Sequence, residues 1–134
     1  MVATLVVNHP HHPRAVAALD RHLDAGNSMI IVAHTLLETY SSLTRMPAPM
    51  KTTPEDALRG IEQSFLANGT VATLRDLEYV RLLHDMARKG TIGGQVYDAA
   101  IVACARRAGV EVLITFNERH FRRFEGDGLA IEVP

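Results

Sequence analysis

Apolar residues fall along this chain in short continuous blocks and in helical stripes, and the two patterns alternate. Met29-Ile30-Ile31-Val32 is an unbroken apolar run, the form of a strand buried on both faces. Thr70-Val71-Ala72-Thr73 and Val110 to Thr115 read as further interior strands. Leu129 to Val133 reads as an edge strand, because Pro134 has no amide hydrogen to give a ladder. Between these blocks the spacing is helical. Pro13 suits a first helical position, Val16, Leu19 and Leu23 follow, and Gly26-Asn27 stops the run. A second helix from Thr35 carries Leu36, Leu37, Tyr40 and Leu43, and Met46 to Thr53, with Pro47 and Pro49, connects it to the next. Thr53-Pro54-Glu55-Asp56 is a start signal made of a capping hydroxyl, a proline and acids that the helix dipole favours. That third helix holds Leu58, Ile61, Phe65 and Leu66 and ends at Asn68-Gly69. Leu77, Val80, Leu83 and Ala87 mark a fourth, closed by Arg88-Lys89-Gly90. A fifth, after Gly93-Gly94, carries Ala99, Val102 and Ala103, and a short helical turn covers Asn117 to Phe121. The opening Met1 to Val7 reads as a strand or the tail of one.

Interior-type strands alternating with helices predict an α/β fold: a parallel sheet with helices on both faces, its first strand truncated. A length of 134 residues suits a single domain over residues 1–134. Apolar residues at 47% and charged residues at 22% exclude a disordered chain. A net charge of −1 excludes a global basic field for nucleic acid, though not a local patch. Cys104 is the only cysteine, which excludes a disulfide framework and every cysteine-rich zinc pattern and fits a reducing, cytoplasmic setting. No apolar run approaches the roughly 20 residues of a membrane helix. The N-terminal block has no basic leader and meets His9-Pro10 almost at once, so it is not read as a signal peptide.

In open parallel sheets the sites lie beyond the carboxyl ends of the strands. That rule selects Glu38, about one helical turn past the Met29–Val32 strand, Asn117 and Glu118 just past the Val110–Thr115 strand, and Asp98 at the start of the fifth helix. Carboxylates with an amide are hard oxygen donors, suited to Mg²⁺ or Mn²⁺. An ion held this way activates water and clamps a phosphoryl oxygen. Each residue also has a purely architectural reading. Thr35-Leu36-Leu37-Glu38 matches a capping box, Asp98 complements a helix dipole, and Asn117 is a good helix cap. No G-x-S-x-G, P-loop, G-x-G-x-x-G or H-E-x-x-H motif is present. His9-Pro10-His11-His12 is read as a polar loop entering a helix rather than a zinc site, and His34 and His84 as interior or rim residues. Arg106, Arg107, Arg119, Arg122 and Arg123 concentrate guanidinium groups near the proposed site, where they either grip phosphate or pair with Glu118 and Glu125.

Three stretches carry a resemblance to a known family. They are His9-Pro10-His11-His12-Pro13-Arg14-Ala15, then Val32 through Arg45 around His34-Thr35-Leu36-Leu37-Glu38, and Gly93-Gly94-Gln95-Val96-Tyr97-Asp98-Ala99-Ala100 continuing through Val112 to Phe121. In order and spacing the chain resembles a PIN-domain protein of the VapC type, the ribonuclease toxin of a bacterial toxin–antitoxin pair. The resemblance implies a Rossmann-like parallel sheet and a Mg²⁺ or Mn²⁺ site of three or four acidic positions. Carried onto this sequence, it makes Glu38, Asp98 and Asn117 catalytic metal ligands, with Thr115 a supporting hydroxyl beside the metal. Arg119, Arg122 and Arg123 would bind the RNA phosphates. The implied partners are RNA, a cognate antitoxin and a second copy in a homodimer, with no membrane.

The departure lies at the N-terminus. The family's first acid is an Asp in an Asp-Thr or Asp-Ser pair ending the first strand, and by the His-Pro-His-His alignment it would fall upstream of Met1. A start codon set too far downstream is the expectation, and real loss of a ligand is the alternative. Two functions follow. One is a metal-dependent ribonuclease that hydrolyses RNA phosphodiesters. The other is a catalytically impaired PIN-like binding module that pairs with itself or an antitoxin.

Overall fold

The computed structural model describes all 134 residues, which cluster into two compact units: Met1–Val71 with Pro134, and Ala72–Val133.

The first unit contains α1 (Val2–Leu5), α2 (His12–Asp24), β1 (Met29–Val32), α3 (Ala33–Arg45), α4 (Pro54–Ile61), a π-helical turn (Glu62–Leu66) and most of β2 (Gly69–Ala72). Its core is built from Val6, Leu43, Ala57 and Ile61, with Val2, Leu5, Leu36, Met46 and Met50 packed against them. Thr53 caps α4, its hydroxyl oxygen accepting the Asp56 amide at 3.1 Å, and Pro54 follows as the sequence pattern predicts. β1 pairs with β2. Gly69 allows that pairing, since a Cβ there would lie 2.6 Å from Ile31 Cδ1 and 2.8 Å from the Phe65 carbonyl oxygen.

The N-terminal block corrects the strand expectation. Val2–Leu5 is a helical turn, in which the Leu5 amide donates to the Met1 carbonyl and the Val6 amide to the Val2 carbonyl. A short apolar run has no period that separates strand from helix. As a helical turn, these residues satisfy their backbone locally. Ala3 and Val6 are buried all the same.

The second unit contains α5 (Asp76–Arg88), α6 (Gln95–Arg107), β3 (Val112–Ile114), α7 (Glu118–Phe121), a 3₁₀ turn (Arg122–Phe124) and β4 (Ala130–Glu132). β3 and β4 are parallel, with Val112 opposite Ala130, Leu113 opposite Ile131 and Ile114 opposite Glu132. Ile101, Val102, Cys104, Ala105, Phe121, Leu129 and Ile131 are buried, with Leu74 and Met86. Gly109 ends α6 at φ 71°, a left-handed conformation in which a side chain would be strained.

The alternation of helices with strands and the parallel pairing are those of the α/β, PIN-like fold the sequence implies. Two details differ from the sequence expectation. The strands are hydrogen-bonded as two pairs, β1–β2 and β3–β4, rather than as one ladder. On α5, Met86 is buried while Leu77, Val80 and Leu83, expected to face a core, are 63%, 49% and 60% exposed.

Candidate active site

Helix α3 begins at Ala33, two residues earlier than the sequence pattern indicates, and this excludes the capping-box reading of Glu38. Thr35 lies inside the first turn, and its hydroxyl donates to the Val32 carbonyl at 2.7 Å. The capping box is therefore not formed: the N-cap is Val32, and no side chain caps the helix. Glu38 instead projects into solvent one turn further on, 3.4 Å from His34 Nε2. With Leu37, Ser41, Ser42 and Arg45 it lines an open depression on the first unit. These residues recur at helical i, i+3, i+4 and i+7 spacing, so one exposed stripe of α3 presents a carboxylate, two hydroxyls and a guanidinium.

Asp98 has the opposite environment. It lies in the first turn of α6, where the dipole favours an anion, and it is buried. A buried carboxylate needs partners. Its Oδ2 lies 3.1 Å from His120 Nδ1 and 3.8 Å from Arg123 Nη2. Arg123 is fixed in turn, with Nη1 donating to Gln95 Oε1 at 2.8 Å and its guanidinium lying 4.7 Å from the Phe124 ring centre. Both contacts to Asp98 fall on Oδ2, so Oδ1 is the oxygen left for a ligand.

The loop between β3 and α7 brings in the remaining residues. Thr115 continues β3, its amide donating to the Glu132 carbonyl at 2.9 Å, while its hydroxyl accepts the Asn117 amide at 3.0 Å. Asn117 occupies the N-cap position of α7, but its side chain makes no capping hydrogen bond. That corrects the architectural reading and leaves the amide exposed, one turn before His120. The second unit thus assembles Asp98, His120 and Arg123 and carries Thr115 and Asn117 on the adjoining loop, whereas Glu38 belongs to the first unit.

The arginines differ in freedom. Arg122 is clamped between Glu118 (2.6 Å) and Glu125 (3.3 Å), and these partners hold its guanidinium pKa above the ordinary value. Glu125 in turn accepts the Ile131 amide and Arg122, which keeps its carboxyl below the usual range. Arg106 donates to the Phe124 carbonyl, and Arg107 bridges Glu78 and the Thr73 carbonyl. Arg119 is exposed. Burial pushes the Cys104 thiol pKa up, which marks it as a core residue rather than a nucleophile.

No three His, Cys, Asp or Glu side chains lie close enough together to cage a metal ion. The donors that are present, a carboxylate with an unengaged oxygen, an amide and a hydroxyl, are all hard oxygens. They fit Mg²⁺ or Mn²⁺, which keep several waters and take few protein ligands. Sequence reasoning missed His120. Nothing in its spacing marks it, because its partner Asp98 lies on another helix. Arg45 went unremarked for the same kind of reason, since it joins Glu38 only once α3 is built.

An α/β chain with a buried Asp opening a helix, beside a strand-to-helix loop carrying a hydroxyl and an amide, belongs to the class of parallel-sheet α/β proteins. The model of the PIN domain matches residues 1–127, across both units, and the chain belongs to the PIN-domain family. It is 32% identical over 116 residues to Ribonuclease VapC40 of Mycobacterium tuberculosis, in strains CDC 1551/Oshkosh and ATCC 25618/H37Rv, covering 84% of this chain and 78% of the relative. It is also 32% identical over 132 residues to Ribonuclease VapC27 of M. tuberculosis strain ATCC 25618/H37Rv, covering 98% of this chain and 90% of the relative. No solved structure gives a significant match. No helix is long and apolar enough to cross a membrane.

Proposed function

We propose that this chain is a metal-dependent endoribonuclease of the VapC type, a cytoplasmic toxin held in check by a cognate antitoxin and acting as a homodimer. The observation that carries the reading is the buried Asp98, oriented by His120 and Arg123 in a PIN-domain chain whose relatives are named ribonucleases. Asp98 and Asn117 would hold Mg²⁺ or Mn²⁺, with Thr115 in support, and Glu38 is the further ligand that the family resemblance implies. Such an ion, when bound, acidifies water and neutralises charge on a phosphoryl oxygen.

The protein's own groups do the positioning. His120 and Arg123 fix one Asp98 oxygen so that the other is presented in one direction, which limits the reorganisation needed on binding. Thr115 holds the Asn117 backbone, which sets where the amide side chain starts. Arg119 is the first candidate for the RNA backbone and Arg123 the second, because Arg122 is occupied by two carboxylates. Such contacts position a strand without reading its bases.

The test is cleavage of a single-stranded RNA by the wild-type chain with Mg²⁺, with EDTA, and by Asp98→Asn. Both perturbations are expected to lower the rate at least about a hundredfold, the scale for loss of an electrostatic catalytic group. Activity that survives both overturns the proposal.

A second reading, a binding module with impaired catalysis, is favoured by one observation: no three titratable ligands gather in either unit. It predicts no measurable Mg²⁺ heat in calorimetry at millimolar ion and no cleavage, with antitoxin binding intact. Millimolar or tighter Mg²⁺ binding that Asp98→Asn abolishes counts against it.

A further inference from the structure

Around the candidate site, arginines pair with acids in two ways. Arg106 meets Asp127, Arg107 meets Glu78, and Arg122 meets Glu118 and Glu125, all outside the proposed ligand set. Arg123 differs, because the carboxylate it meets is Asp98. Gln95 and Asp98 lie three residues apart in the first turn of α6 and share a face. They receive the two arms of one guanidinium: Nη1 donates to Gln95 Oε1 at 2.8 Å, and Nη2 lies 3.8 Å from Asp98 Oδ2. The Phe124 ring, its centre 4.7 Å from the guanidinium carbon, supports the same group.

The Asp98 contact is the one that yields. It is an ion pair beyond hydrogen-bond length, whereas His120 holds the same oxygen at 3.1 Å. Arg123 is exposed, so its side chain can turn outward without disturbing the core. A carboxylate with a resident cation takes a second cation less readily, because two positive charges then meet at one anion. Once a divalent ion neutralises Asp98, attraction on Arg123 gives way to repulsion, and only a neutral amide and a ring still hold it. A guanidinium so released finds a strong partner in phosphate, which it binds bidentately.

We propose that Arg123 is the resident countercation of Asp98, displaced when a divalent ion takes the carboxylate and transferred to an RNA phosphate, so that metal and RNA bind cooperatively. The proposal rests on the ribonuclease reading and deepens it by naming the residue that couples the two ligands. The coupling is reciprocal: RNA that draws Arg123 away strengthens metal binding by the factor by which metal strengthens RNA binding.

Calorimetric titration of Mg²⁺ into the full chain tests the displacement. Arg123→Gln is expected to tighten Mg²⁺ binding at least about fivefold, the lower end of coupling between sites. Arg123→Lys, which keeps the charge, should bind Mg²⁺ like wild type. Arg119→Gln, which removes an exposed charge that makes no ion pair with Asp98, should shift the affinity less than Arg123→Gln. A gain in affinity cannot come from a damaged fold, and an Arg123 that merely supports Asp98 predicts the opposite sign. Unchanged or weaker binding by Arg123→Gln overturns the proposal and leaves the metal site standing. No Mg²⁺ binding by any of the four chains overturns the metal reading and this coupling with it. Fluorescence anisotropy of a labelled single-stranded RNA in EDTA tests the transfer without any ion. Asp98→Asn neutralises the carboxylate as a bound ion would, so its slope of log K against log salt should be steeper than wild type by about 0.7, one phosphate contact. Asp98→Asn/Arg123→Gln should lose that gain. A slope that Asp98→Asn leaves unchanged, or a gain that survives loss of Arg123, overturns the transfer to phosphate.

Discussion

Burying Asp98 removes solvation from a carboxylate, and the chain returns it through an imidazole and a guanidinium on one oxygen. His120 is half exposed, so its hydrogen bond falls at the lower end of the range for charged partners. His120→Ala is expected to cost about 1–2 kcal/mol in urea denaturation, and His120→Gln, which keeps a donor, less than half of that. An unchanged midpoint in the alanine variant would show that Arg123 alone holds the carboxylate. A second acid behaves differently. The Arg75 amide, followed by the Arg75 and Arg107 guanidinium groups, brings the Glu78 carboxyl from 4.5 down to about 2. A carboxyl with a lower pKa in the folded state stabilises above its unfolded value and loses that contribution as pH falls through the folded value. Stability should therefore decline from about pH 4.5 towards pH 2, and Glu78→Gln should flatten this part of a chemical-denaturation series. Of the candidate residues, Thr115 and Asn117 could be placed from the sequence because they follow a strand end, and Asp98 because it opens a helix within the family-like stretch. His120 was not, because only the folded chain places an imidazole from α7 against a carboxylate from α6. Thr35 and Glu38 had the spacing of a capping box, but the helix starts upstream of Thr35, and that offset decides whether a hydroxyl caps or points back.

At the scale of elements, stop and start signals read directly where they act within a turn. Pro54 after the Thr53 cap, and the glycines closing α2, α5 and α6, lie where backbone chemistry requires them. Gly69 is less obvious. It reads as a helix stop, yet its function is to let β2 approach Ile31, which is itself buried. Gly69→Ala should destabilise the chain by about 1–3 kcal/mol, the usual cost of overpacking, since backbone at Phe65 blocks the other direction. A thermal midpoint unmoved by this change would mean that β1 and β2 separate freely. Elements that depend on distant partners were the ones misread. Met1 to Val7 has strand composition but folds as a helical turn on its own backbone bonds, and the stripe of α5 assigned to a core is left facing solvent.

For the molecule as a whole, a net charge of −1 means that no long-range field draws RNA in, so affinity has to come from the few guanidinium groups free to meet phosphate. Arg122 is bound to Glu118 and Glu125, and Arg106 and Arg107 are tied to their own loops. Among the arginines around the candidate site, that leaves Arg119 and, in part, Arg123. Each phosphate contact to a single strand contributes about −0.7 to the slope of log K against log salt, so two contacts give a shallow slope of about −1.4. Arg119→Ala should reduce its magnitude by about 0.7. Arg122→Ala should leave the slope unchanged and instead lower stability, because it strands two carboxylates beside β4. Fluorescence anisotropy of a labelled RNA with the Asp98→Asn chain, which is expected not to cut, measures both slopes. A slope steeper than about −3 would require more than about four phosphate contacts, beyond the free arginines around the candidate site, and would move RNA binding to another face such as the Arg45 stripe of α3.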